Sequence, residues 1–239
     1  MIVHILLIVG GLFAGFLGYQ ELGLAQQASA LPQPIELVDL ESGQAPPNIH
    51  VQLGHHWKVW DELIYSYRTE KEDEEVGPAT RIDYSYFPII SEEHPYSQAF
   101  NRLAERYESL DQVPEAEWPR LKDFAVLVRS EAFSVVGKLP GDEGWGEAEQ
   151  MVGLIVNDIH RLKSDEKSLL SQSYPSLDLD KVLILEEGRQ VESLAYCLGI
   201  MTLGAGLVIT GGVLIFRSTT GRVEGVGELP PLLKKAEVF

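Results

Sequence analysis

The chain has 239 residues, with 36 acidic against 19 basic side chains and a formal net charge of −17. So large an acidic excess repels phosphate, which excludes nucleic acid as a partner and argues against broad adhesion to anionic lipid. A single cysteine, Cys197, excludes an intrachain disulfide and any zinc-ribbon, iron–sulfur or CxxC chemistry that needs several thiols.

Residues 2–19 form an apolar run interrupted only by His4. At about 1.5 Å per residue, roughly 18 to 20 residues cross a hydrocarbon core of about 30 Å. Residues 1–19 therefore predict a transmembrane helix. A secretory signal peptide is the alternative, because Ala28-Ser29-Ala30 offers a small-residue cleavage site. No Lys or Arg precedes the run, and the stretch from Tyr19 to Ala30 is long for a cleavage region, so a retained anchor is preferred. Gly11 and Gly15 form GxxxG, and Gly10, Ala14 and Gly18 form a second small-residue ridge. Small residues let helix backbones approach closely in lipid, which makes all five candidates for helix packing.

Residues 20–34 carry Gln26, Gln27, Ser29, Pro32 and Pro34 and predict a linker. Residues 35–193 predict one acidic domain. It opens on a short segment, 35–40, readable as a helical turn or a strand and ended by the break at 43–47. Residues 49–53 predict a strand that leads into His55, His56 and Trp57. The two adjacent histidines, with His50 just before them, are the weak candidates for a metal site. Such a site needs three or four convergent ligands, and neighbours on a strand point to opposite faces, so polar residues at a strand end are the competing reading. Trp57 and Trp60 are candidates for partner contact or the membrane interface, set against ordinary core packing.

Residues 63–67 and 81–87 are aromatic, β-prone runs flanking an acidic stretch that contains Glu70 and Glu75. They predict an antiparallel hairpin, with Tyr65 and Tyr67 facing Tyr84 and Tyr86 across the strands. The acidic tip lacks the ligand spacing and glycine of an EF-hand loop and reads as a solvated turn. Residues 96–109 then predict a helix with Phe100, Leu103 and Tyr107 on one face, and Leu110 beyond. A strand follows at 124–128, with 133–136 as its extension. Residues 137–146, including Asp142 and Glu143, read as a loop, and 151–156 as a strand. Ser164 caps a helix whose first turn holds Asp165 and Glu166, where carboxylates suit the dipole, and Pro175 stops it. Residues 181–185 predict the last strand. The fold class is α+β: a mainly antiparallel sheet of five or six strands with two or three helices, between two transmembrane helices.

Residues 194–216 carry no charge and predict the second transmembrane helix, with Thr202, Gly206 and Thr210 at packing spacing. Residues 217–239 are a short tail. Arg217, Arg222, Lys234 and Lys235 follow the second span, which places the tail in the cytoplasm and residues 20–193 outside. That outer segment carries 33 acidic and 15 basic side chains. A bacterial cytoplasmic membrane is the expected location, because the first span begins at residue 2.

Phosphate-loop, dinucleotide, GxSxG and HExxH patterns are all missing, and His160 sits in no catalytic pattern. No catalytic residue and no cofactor is therefore expected. The chain reads as a non-catalytic accessory, scaffold or assembly component of a membrane complex. Its expected partners are the lipid bilayer and other membrane-protein subunits or itself. An extracytoplasmic sensor binding a cation or other ligand is the alternative, and a membrane-bound enzyme with a site assembled from distant residues is the third.

Overall fold

The computed structural model describes residues 2–68, 75–109, 112–141, 144–156, 162, 164–175 and 177–220. They fall into two compact units, residues 27–191 in one and the two terminal helical segments in the other. The α-helices are α1 (Ile2–Gln27), α2 (Leu37–Glu41), α3 (Pro95–Arg106), α4 (Ser164–Ser173) and α5 (Leu194–Thr220). The strands are β1 (Gln33–Ile35), β2 (His50–Leu53), β3 (His56–Val59), β4 (Ile64–Arg68), β5 (Arg81–Ile90), β6 (Val126–Ser130), β7 (Trp145–Ala148), β8 (Met151–Ile155) and β9 (Leu183–Glu187). Residues 69–74 of the acidic hairpin tip, Leu110, Asp142, Glu143, His160 and the tail beyond residue 220 were singled out above and lie outside the described residues.

The nine strands of the described residues join one mixed sheet in the order β1-β2-β8-β9-β6-β5-β3-β7, with β4 beside β5. The β1–β2 and β6–β9 pairs are parallel and the other six are antiparallel. The class is α+β, with more strands than the five or six expected. Val126 and Val128 of β6, Phe87 and Ile89 of β5, and Leu185 of β9 turn to one face, where Leu37 and Leu40 of α2 cover them. Leu127, Tyr84, Tyr86, Ile90 and Ile184 turn to the other face, against Leu170 of α4 and Tyr174. Burial on both faces explains why β6 and β9 read as unbroken apolar runs rather than alternating ones. Each large apolar side chain so buried contributes about 1.5 to 3 kcal/mol.

The expected hairpin forms as β4 and β5, but its tyrosine pairing is corrected. Tyr84 lies opposite Ser66 and Tyr86 opposite Ile64, and the register slips between Ser66 and Tyr67. The period of two then puts Tyr84 and Tyr86 on one face and Tyr65 on the other. Ring contacts run along each strand instead: 6.1 Å between the centroids of Tyr65 and Tyr67, and 5.5 Å for Tyr84 and Tyr86.

Three further expectations shift. Residues 133–136 do not extend β6; Val135 bridges to Arg81, and Val136–Lys138 is a 3-10 turn. The loop at 137–146 ends early, because β7 starts at Trp145. The connector at 20–34 shrinks, because α1 runs on to Gln27 and β1 begins at Gln33. Pro34 is tolerated there because β1 is an edge strand of three residues. At α3, Pro95 occupies the first turn and the His94 side chain accepts from Tyr96 N–H at 3.2 Å, which starts the helix cleanly.

In the terminal unit, α1 and α5 are both long and apolar enough to cross a membrane. A β-carbon built on Gly11 would meet Gly204 and Val208, one on Gly18 would meet Met201 and Cys197, and one on Gly211 would meet His4 and Ile8. Numbers rise along one helix as they fall along the other, so the pair is antiparallel.

Candidate functional site

Three arrangements concentrate polarity, aromatic rings or close backbone contact. The first is the α1–α5 seam. Gly204 faces the Gly11 carbonyl and the Gly15 backbone so closely that its β-carbon would stand 2.6 Å from that oxygen and 2.8 Å from that nitrogen. Gly11, Gly18, Gly204 and Gly211 are the residues without which the backbones could not come together. A β-carbon on Gly15 itself would meet nothing within 4 Å, although its backbone is in the seam. Ala14 is half-buried. Gly10, Thr202, Gly206 and Thr210 are exposed, so they lie off the seam. The Thr202 hydroxyl donates to the Leu198 carbonyl at 2.8 Å, which satisfies it within its own helix. Gly204 and Gly211 escaped the sequence reading because α5 carries two small-residue rows, and spacing alone does not say which one meets α1.

The second arrangement is the histidine and aromatic strip at the β3–β7 end of the sheet. His55 and His56 do diverge. His55 Nε2 donates to Glu147 at 3.0 Å, and its Nδ1 lies 3.6 Å from Glu92. The hydrogen bond to Glu147 raises the His55 pKa; burial works against it, and Glu92, Glu147 and Glu149 add to the rise. His56 is fully buried, and its Nδ1 donates to the Gly54 carbonyl at 2.7 Å, leaving Nε2 with no partner. Burial lowers the His56 pKa against the lift from the Gly54 bond. His50 repeats the pattern, with Nδ1 on the Ser29 carbonyl at 2.9 Å and an unpartnered Nε2. Among the described residues no group of three or more His, Cys, Asp or Glu side chains converges on a point that would hold a metal ion.

Trp57 meets Trp145 edge-on at 6.0 Å and His55 at 5.7 Å. Trp145 in turn stacks on Tyr96 at 5.1 Å and contacts Phe100 at 4.8 Å, which fastens α3 over the sheet end. Burial, with Asp61 and Glu62 nearby, pushes the Tyr96 phenol up to about 12. Trp60 turns to the opposite face and packs on Phe87 at 4.6 Å and Phe133 at 5.9 Å. Both tryptophans named as partner contacts thus spend much of their ring surface within the fold.

The third arrangement was not foreseen. Arg129 of β6 and Glu186 of β9 are register partners and join at 3.1 Å. The second Arg129 Nη reaches Glu166 of α4 at 3.4 Å, and its guanidinium lies over the Tyr84 ring at 5.4 Å. Gly188, at φ +72°, turns the chain so that Arg189 returns to the other oxygen of Glu186. On the opposite face Glu187 takes Lys58 at 3.4 Å and accepts from Ser130 Oγ. A cleft of about 400 Å³ is bounded by Arg129, Glu131, Glu186, Glu187, Gly188 and Arg189. Burial pushes the Tyr86 phenol up, and the Glu166 charge adds to it. The network fastens α4 to the sheet through paired charges. In a chain with 36 carboxylates the sequence gives no sign of which one Arg129 will choose.

The chain matches no family model, no curated protein and no solved structure. The functional reading therefore rests on the arrangements above.

Proposed function

We propose that this is a non-catalytic membrane-anchored protein, an accessory, scaffold or assembly component of a membrane complex. One observation carries the reading. The two terminal helices meet through glycines and turn large apolar side chains outward, with Ile2, Leu6, Phe13, Leu203, Ile209 and Phe216 all more than 60% exposed. A water-facing surface rarely carries so extended an apolar band, whereas lipid requires one. A secretory signal that is discarded has no need of a glycine row complementary to a helix near the other end of the chain, which supports α1 as a retained span.

In this reading residues 20–193 stand outside a bacterial cytoplasmic membrane and the tail after α5 lies in the cytoplasm, as the placement of Arg217 and Arg222 favours. The partners are the bilayer and other membrane subunits or a second copy. The test is affinity purification of the full chain from crosslinked membranes, with a reporter fused after Phe239 to read the side of the tail. A partner recovered at fixed ratio in several mild detergents is the expected result. Recovery only as a lone monomer in all of them overturns the accessory role, and a reporter active outside the cytoplasm overturns the orientation.

A further inference from the structure

The connector between α1 and β1 contains Ala28-Ser29-Ala30, and the folded protein holds its middle residue from three directions. Ser29 N–H donates to Asn48 Oδ1 at 3.1 Å, and the Ser29 carbonyl accepts from His50 Nδ1 at 2.9 Å. Ser29 Oγ donates to the Leu31 carbonyl, across the Ala30–Leu31 peptide bond. Asn48 Oδ1 also accepts from the His50 N–H at 2.8 Å, so the two clasping residues are tied to each other. His50 is 3% exposed, which fixes the clasp to the body. Shortly afterwards Gln33 enters its parallel pairing with Val51.

Small residues in the first and third positions before a peptide bond suit endopeptidases with small pockets, of which signal-processing enzymes are one kind. Ala28 and Ala30 occupy those positions before the Ala30–Leu31 bond. Recognition in the strand-addition mode takes an extended segment, with main-chain groups supplying hydrogen bonds and alternate side chains filling pockets. Here both main-chain groups of Ser29 are committed to Asn48 and His50, and the Ser29–Leu31 bond curls the chain across the bond to be cut.

We propose that residues 28–30 are a masked processing site, which an endopeptidase selective for small residues cuts only when the Asn48–His50 clasp is open. In that step the carbon–nitrogen bond between Ala30 and Leu31 breaks. Water supplies a hydroxyl to the Ala30 acyl carbon and a proton to the Leu31 nitrogen, so a carboxyl and an amine replace the amide. The product begins at Leu31 and has lost α1. The clasp thereby decides whether the body keeps its N-terminal helix, which is independent of who its partners are.

The experiment digests the full chain in mild detergent with a serine endopeptidase selective for small residues and follows intact mass. Losing one clasp hydrogen bond raises the open population by roughly five- to tenfold. Asn48→Ala and His50→Phe are therefore expected to release a fragment beginning at Leu31 about fivefold faster than the native chain. Adding Ala28→Glu to Asn48→Ala leaves the clasp as it was and spoils the small-residue pattern, so the fast cut disappears. Equal rates in the native chain and both clasp variants overturn the proposal. So does first cutting elsewhere in the body, or a native chain that leaves the membrane already starting at Leu31.

Discussion

Alanine at Gly204 probes the helix seam directly. Its β-carbon would stand 2.6 Å from the Gly11 carbonyl oxygen, and ordinary contact begins near 3.4 Å, so the helices must part by about 0.8 Å. Both clashing groups are backbone, which no rotamer change relieves. A gap of 0.5 to 1 Å forfeits about a quarter to a half of each dispersion contact, and overpacked positions typically cost about 1 to 3 kcal/mol. Gly206 is the matched control two residues away, where a β-carbon meets nothing within 4 Å. Alanine there costs nothing in packing and gains up to about 1 kcal/mol of helix propensity. Energy transfer between labels at residues 2 and 218 of the full chain, followed through a titration with denaturing detergent in micelles, reads the separation of the helices. Gly204→Ala is expected to separate well before the native chain, and Gly206→Ala at or after it. Coincident curves for the two variants would refute the seam.

The two adjacent histidines should titrate on opposite sides of 6.5 in an imidazole NMR titration, His55 above and His56 below; a shared midpoint contradicts their assigned environments. His55 then contributes stability that is complete below its unfolded value and fades as pH rises through its folded one. His56 contributes stability that is complete above its unfolded value and is lost as pH falls through its folded one. The carboxylates facing His55 are exposed, so its share stays below about 1 kcal/mol, and His55→Gln should remove it from the pH profile of melting. Arg129→Ala removes the cation that the buried Glu166 and the half-buried Glu186 share and should cost about 3 kcal/mol in denaturant unfolding. Glu166→Gln in the same chain should recover part of that loss; strict additivity of the two substitutions would mean that the pair is not coupled.

What could be read from the sequence was local. The β4–β5 hairpin is visible because aromatic and β-branched residues crowd both arms, and α3 because the Phe100–Leu103 spacing marks it. β7 was hidden because Gly144 and Gly146 read as loop, and the strand exists only through its pairing with β3. β1 was hidden for the same reason: Gln33, Pro34 and Ile35 have no strand preference as a group and are held by Val51 to Leu53. The tyrosine register failed on a bulge at Ser66, a one-residue slip that no pattern of alternation announces. Among the candidate site residues, Gly11 and Gly18 were legible as small residues in an apolar run, whereas the choice of Gly204 and Gly211 over Thr202, Gly206 and Thr210 depends on helix rotation. The Arg129 network depends on the parallel pairing of two strands over fifty residues apart, which only the assembled sheet supplies.

That pairing also sets a schedule. β9 lies in the sheet between β8 and β6, yet it is the last strand among the described residues. Until residue 187 has been made, β8 and β6 have no strand between them, although β2–β3 and β7–β8 can already pair in one continuous register as the two arms of a long bent hairpin. Contacts of such long sequence separation close late and slowly. Residues 194–220 follow almost at once, so the body becomes whole only as the second long apolar helix is being synthesised. Completion of the sheet and commitment of that helix to its surroundings therefore fall within the same short interval of the protein's birth.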